Sequence, residues 1–220
     1  KGFQGDTLAS ALLANDVHLV GRSFKYHRPR GILTAGSEEP NALIQLGIGA
    51  RTEPNIRATE IELYEGLEAE SQNCWPSVDF DIGEANNLLS RLFPAGFYYK
   101  TFKWPPSLWL FYEHFIRKAA GLGESPKAKN PDRYEQRFHY CDVMIVGGGV
   151  SGLTAALAAA RAKCDVLLVD ENPYFGGYLS DSSASINGKN IGDWIRIVLD
   201  ELKSYENVKL LKRTSAMGYY

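Results

Sequence analysis

Cysteine is scarce in this 220-residue chain: Cys74, Cys141 and Cys164 are the three present, and no pair is spaced C-x-x-C. That pattern is neither a disulfide framework nor a thiolate metal site, and it fits a reducing compartment. Histidine is nearly as rare, with four in all and none after His139. No apolar run approaches the ~18 residues of a membrane span, and no signal-like stretch opens the chain. A net charge of −2 gives no electrostatic reason to expect nucleic acid or an anionic membrane as a partner. The expectation is a soluble, cytoplasmic protein. With 45% apolar and 23% charged residues, the chain can bury a core as one large domain or two smaller ones.

What is present is concentrated in residues 141–177. An apolar run, 143–146, leads into Gly147-Gly148-Gly149-Val150-Ser151-Gly152, which fits G-x-G-x-x-G. A helix-forming stretch, 153–161, follows, and a second apolar run, 166–169, ends on Asp170-Glu171. Strand, glycine turn, helix, strand and acid in this order are the dinucleotide fingerprint in its proper context. Gly147 allows the tight turn, Gly149 lets a pyrophosphate approach the backbone, and Gly152 lets the helix pack closely. The helix start near Ser151 offers unpaired N–H groups to phosphates. A carboxylate at the second strand's end accepts from a ribose diol and repels a 2′-phosphate, which favours NAD over NADP. FAD fits the same glycines and acid.

Before the fingerprint, Asp6 reads as an N-cap for a helix closed by Asn15, and 17–20, 41–47 and 56–63 read as strands. Helix plus short strands implies a small α+β module of the β-grasp kind. Residues 22–31 interleave arginines with aromatics. Such a segment can bind nucleic acid or an anion, but it reads better as a packed loop whose arginines meet carboxylates of a neighbouring domain. His27 reads as a loop residue, not a ligand. Residues 83–92 carry a helix. Residues 97–115 are the most aromatic stretch, with a helix over 108–120, and read as a surface buried against another domain or subunit rather than a ligand cage. Residues 124–136 form a polar linker. After a polar loop, 180–189, a helix over 193–205 opened by Asn190 or Gly192 places Trp194, Ile197, Val198 and Leu202 on one stripe, followed by a strand at 208–211. A doubly wound sheet needs about five or six strands. Three are visible, so the sheet is expected to be completed by further chain or a partner.

The segments GDTLASALLAN, RSFKYHRPRGILTAGSEEPNALIQLG, RTEPNIRATEIELYEGL and SQNCWPSVDFDIGEANNLLSRLFPAGFYYKTFKWP, followed by the fingerprint and VDENPYFGG, resemble the N-terminal part of the alpha subunits of heterotetrameric sarcosine oxidases. The resemblance implies a ferredoxin-like β-grasp module over 1–75, an aromatic-rich connecting segment over 76–137, and the first part of a Rossmann-type NAD-binding domain over 138–220. Related modules hold a [2Fe–2S] cluster on cysteines after the RPRG loop. Here GILTAGS has none, so a cluster-less module is expected. The resemblance further implies FAD on a beta subunit, FMN between alpha and beta, tetrahydrofolate on the remainder of the alpha chain, and gamma and delta partners. For NAD it implies Ser151 and Gly152 at the pyrophosphate, Asp170 or Glu171 at the ribose, Asn172 by the adenosine, Tyr178 on the phosphate side and Met217 near the adenine. With no redox cysteine or histidine beside the turn, no catalytic residue is expected. Two other readings remain: a related flavoprotein acting on an opine or secondary amine with FAD on the fingerprint, and a structural scaffold with a vestigial site.

Overall fold

The first helix, α1 (Leu8–Ala14), is set by a capping box: the Ser10 amide donates to Thr7 Oγ1 at 3.1 Å, and the Thr7 amide donates to Ser10 Oγ at 3.0 Å. The cap is therefore Thr7 and not Asp6, whose carboxylate accepts from the Phe3 amide at 2.7 Å. Asn15 closes the helix as expected. The other first-turn amides, Leu8 and Ala9, donate to the carbonyls of Ile61 and Ala58 at 2.8 and 2.9 Å. A helix start needs such acceptors, and meeting that need draws residues 58–61 away from the sheet. The strand expected over 56–63 accordingly lies earlier, ending at Arg57.

The computed structural model describes residues 1–88, 90–91, 104–119, 123, 125–179 and 182–218; the side chains of residues 117–119 and 178 lie outside that set. The chain divides into two units, Lys1–Arg133 and Tyr134–Tyr220.

In the first unit, β1 (Gly21–Arg22) pairs antiparallel with β2 (Pro29–Arg30). The strand expected over 17–20 does not form, because the Val17 amide turns back to the Leu12 carbonyl at 2.9 Å. A second sheet has β3 (Leu43–Leu46) between β4 (Glu53–Arg57) and β5 (Ala69–Ser71), all antiparallel. Leu8 and Ala9 of α1 bury against Val20, Ala42, Ile44 and Ala58. A helix on a small antiparallel sheet is the α+β arrangement that the sequence implies.

The basic loop is fastened within its own unit. The Arg22 side chain is 3% exposed, and its guanidinium donates to the carbonyls of Val78, His27 and Asp79 and to Glu84 Oε2, at 2.8 to 3.2 Å. In place of carboxylates on a neighbouring domain, Arg22 thus meets two backbone carbonyls and one carboxylate of the segment next in sequence and one carbonyl of its own loop. His27 Nδ1 lies 2.5 Å from Asp81 Oδ2, with both side chains largely buried. Asp81 also accepts from the amides of Trp75 and Gly83. The helix expected over 83–92 is described only as α2 (Ala85–Leu88); residues 89 and 92–100 lie outside the described residues. α3 (Trp109–Ala119) follows a turn at Pro106–Leu108. Trp109, Leu110, Phe111 and Phe115 on it are exposed, and residues 97–103 of the aromatic stretch lie outside the described residues.

The second unit is a parallel sheet, β6 (Val143–Val146), β7 (Val166–Val169) and β10 (Val208–Leu211), in the order β10-β7-β6. α4 (Val150–Arg161) joins β6 to β7, and α5 (Ile191–Lys203) lies between β7 and β10. Both helices cover one face, where Leu153, Ala156, Leu168, Ile191, Val198 and Leu202 bury together. Asn190 caps α5, accepting from the Gly192 amide at 2.9 Å. The buried stripe of α5 is Ile191, Ile195, Val198 and Leu202; Ile197, expected inside, is 41% exposed. Part of the loop expected over 180–189 is a hairpin, β8 (Ser185–Ile186) and β9 (Lys189–Asn190), turning on Asn187 and Gly188 with φ of 51° and 74°. Asn-Gly supports that turn because both positions tolerate positive φ. Residues 180 and 181 lie outside the described set.

Burial raises the Asp81 carboxyl, but the His27 hydrogen bond, the amides of Trp75 and Gly83 and the His27 charge outweigh it and hold it below its ordinary value. The pair therefore stabilises the fold fully above about pH 4 and loses that contribution as pH falls through the folded value. Replacing Asp81 by Ala should cost about 3 kcal/mol near neutral pH. The gap from the wild type should narrow below about pH 4 in thermal unfolding followed across pH.

Candidate functional site: a glycine turn at the carboxyl end of the parallel sheet

The strands β6, β7 and β10 run in register, so their carboxyl ends fall side by side. That edge is where open α/β sheets take ligands. Gly147, at the end of β6, has φ of 96°, a backbone region that L side chains rarely enter. Gly149 is the N-cap of α4, with φ −68° and ψ −177° and no side-chain cap bond. A Cβ at Gly149 would meet nothing within 4 Å, whereas one at Gly152 would collide with the Gly147 carbonyl. One at Gly148 would strike the ring of Phe175 and approach Asp170 Oδ2 at 3.0 Å.

These glycines answer to different demands. Gly147 and Gly152 are required by the fold itself, through dihedral angle and close approach. Gly149 is not: its dihedrals suit any residue, and the space beside it is open. Ser151, on the first turn of α4, is exposed.

The acid end of β7 is bound to this turn. Asp170 is 6% exposed. Its Oδ2 accepts from the Gly148 amide at 2.5 Å, and its Oδ1 accepts from the Asn172 amide and side-chain Nδ2 at 2.8 and 2.9 Å. Glu171, one residue on, is exposed. The loop then returns: the Gly176 amide donates to the Gly148 carbonyl at 2.8 Å, and Gly149 bridges Gly176 in parallel. Gly176 and Gly177 take φ of 126° and 63°. The end of β10 joins through the amides of Arg213 and Thr214, which donate to the carbonyls of Asn172 and Asp170 at 3.1 and 2.9 Å.

The structure thus brings together Gly147, Gly149, Ser151, Gly152, Asp170, Glu171 and Asn172. The backbone of Tyr178 lies in the turn Gly177–Leu179, and its side chain is outside the described set. Met217 is 82% exposed, three residues past the Thr214 tie. The sequence reading missed Gly148 and the pair Gly176-Gly177. Gly148 fills a variable position of the fingerprint, so only the contact with Phe175 shows its role. The doubled glycine was a visible signal for a positive-φ turn.

Two family models match the chain: 2Fe-2S iron-sulfur cluster binding domain over residues 1–74, and FAD dependent oxidoreductase over residues 142–214. The chain is 58% identical, over 221 aligned residues and 100% of its length, to sarcosine oxidase subunit alpha of Rhizobium meliloti (strain 1021). Along its whole length the chain is similar to sarcosine oxidase alpha subunits. The corresponding subunit of Corynebacterium sp. (strain U-96) is 33% identical over 100% of the chain. The chain spans 22% and 18% of those two proteins. A thiamine thiazole synthase of Aeropyrum pernix is 44% identical over 69 residues, 31% of this chain and 26% of that one. Among solved structures, L-proline dehydrogenase from P. horikoshii shares the fold, with TM-score 0.51 and 20% identity over 99% of this chain and 32% of that one. The family likeness read from the motifs therefore holds along the whole chain, and so does the fold class of a ferredoxin-like module followed by a Rossmann-type region.

The first family model raises the question of an iron–sulfur cluster. Residues 1–74 contain one cysteine, Cys74, and its Sγ lies 3.3 Å from Ser71 Oγ. Four protein ligands are needed for such a cluster, and among the described residues no group of three His, Cys, Asp or Glu is placed to hold a metal. The residues do not fit a cluster. They do fit a dinucleotide in the second unit, where an uncapped helix start faces open space beside Gly149. Among the described residues no helix is long and apolar enough to cross a membrane.

Replacing Gly152 by Ala should destabilise the second unit by about 1–3 kcal/mol, because the added methyl meets backbone. Gly149→Ala should leave its unfolding midpoint within about 2 °C of wild type, since neither dihedral nor space opposes it. Thermal unfolding of the two variants side by side checks the contrast.

Proposed function

We propose that this chain is the dinucleotide-binding N-terminal region of the alpha subunit of a heterotetrameric sarcosine oxidase, and that it holds NAD tightly without turning it over. The observation that carries the reading is Gly149: glycine stands where the chain's own geometry asks for none, at a helix start with open space in front of it. Phosphate oxygens fill such a space and take hydrogen bonds from the first-turn amides. When bound, NAD supplies a dinucleotide that stiffens the carboxyl edge of the sheet.

The residues divide the work. Gly147, Gly149, Ser151 and Gly152 shape and line the pyrophosphate end. Asp170 spends both carboxylate oxygens on Gly148 and Asn172, so it is the positioning residue, and the exposed Glu171 accepts from the ribose hydroxyls. Asn172 and Met217 serve the adenosine side, and Tyr178 serves the phosphate side. No catalytic residue is assigned in this chain. The whole protein oxidatively demethylates sarcosine to glycine with O2, and tetrahydrofolate takes the one-carbon unit. That chemistry runs on FAD and FMN, with beta, gamma and delta subunits and the rest of the alpha chain as partners, in the cytoplasm.

A second reading has support of its own. Residues 142–214 match the FAD dependent oxidoreductase model, and FAD suits the same turn and acid.

Gly149→Val in the assembled protein separates the two. Nucleotides released by denaturation should lose NAD and keep FAD. Loss of FAD with NAD unchanged would assign the turn to the flavin, and loss of neither would refute a ligand at Gly149. Within the NAD reading, Glu171→Gln should weaken NAD binding about tenfold, one hydrogen bond to a charged group. Equilibrium binding measures it.

A further inference from the structure

Glu39 is 1% exposed, among the largest fully buried side chains of the protein. Its carboxylate is held almost wholly by main chain. Oε2 accepts from the amides of Leu33 and Thr34 at 2.7 and 2.6 Å, with the Thr34 hydroxyl at 3.4 Å. Oε1 accepts from the amides of Asn41 and Ala42 at 2.7 and 3.1 Å. Among the described residues no cation pairs with this carboxylate; Arg57 donates instead to the Glu39 carbonyl at 3.1 Å. The same loop is pinned on its other side by the Thr59 hydroxyl, which donates to the Gly36 carbonyl at 2.8 Å.

Converging backbone amides of an irregular loop form an anion-binding concavity. Residues 31–42 carry no regular secondary structure, so the amides that close on Glu39 depend on it to be satisfied. The loop lies inside the span that matches a cluster-binding domain, in a module whose residues do not fit a cluster. Thiolate-held clusters are themselves anionic and take hydrogen bonds to their sulfurs.

We propose that residues 33–42 form an anion site of the carboxylate class whose resident anion is the chain's own Glu39. This side chain gathers the loop's amides and keeps the module folded with no prosthetic group. Burial pushes the carboxyl up, and the amides of Thr34, Asn41, Leu33 and Ala42 more than reverse that, leaving it below its ordinary value. Removing the side chain vacates a space of carboxylate shape lined by unsatisfied donors, which a small carboxylate from solution can enter.

Chemical rescue in the full chain tests this. Glu39→Ala should lower the unfolding midpoint of the first unit by about 10 °C or more, from several buried amides left unpaired. Formate or acetate should restore part of that loss in Glu39→Ala and leave wild type unmoved, while chloride at equal ionic strength restores nothing. Glu39→Gln keeps the volume but offers an NH2 where two amides need an acceptor, so it should also fall, without rescue. Equal effects of acetate and chloride on Glu39→Ala would overturn the proposal. Should Glu39→Ala not fold at all, Glu39→Gln decides: wild-type stability in that variant overturns it, and a lowered midpoint supports it.

Discussion

The second unit depends on a carboxylate buried at the end of β7. Asp170 holds the Gly148 amide with one oxygen and the Asn172 amide and side chain with the other. Hydrogen bonds to an ionised acceptor are about twice as strong as neutral ones, and this one carries the pairing of β6 and β7 one step past the last sheet bond, from the Gly147 amide to the Val169 carbonyl at 2.8 Å. The Gly176 amide closes on the Gly148 carbonyl, and the amides of Arg213 and Thr214 close on Asn172 and Asp170. The glycine turn is therefore shaped by the chain's own hydrogen bonds. A preformed site loses less freedom on binding.

The first unit uses buried charge in the same manner. Arg22 gathers the carbonyls of Val78, His27 and Asp79, Asp81 gathers His27 and two amides, and Glu39 gathers four amides. Its apolar cluster is small, centred on Leu8, Ala9, Val20, Ala42, Ile44 and Ala58. With short strands and little apolar surface to bury, loop geometry falls to ionised side chains that find their partners in backbone. Charges buried this way must stay partnered, since an unpaired one is costly.

Much of this was legible in the sequence, and the limits are physical. The strands β6, β7 and β10 lie within the expected bounds, and β7, the central one, is buried along its whole apolar run. The first unit is less legible. Its strand over 53–57 lies earlier than the residue pattern implies, since the pull on residues 58–61 comes from amides at the start of α1, far away in sequence. Ile197 fits an apolar stripe begun at Trp194, but that stripe rotates away from the buried one begun at Ile191. In the site, the fingerprint marked Gly147, Gly149 and Gly152 alike, and the acids Asp170 and Glu171 could not be told apart. Their difference lies in what each touches: one carboxylate faces the glycine turn, and the other faces solvent.

The central claim is that the turn at Gly149 is shaped for a dinucleotide and not for the chain's own packing. Amide hydrogen exchange of the second unit, with and without saturating NAD, tests it most directly. Exchange in residues 147–152 and 170–178 should slow when NAD is added, while the apolar face of α5 stays unchanged. Identical exchange in those two segments with and without the nucleotide would contradict the account.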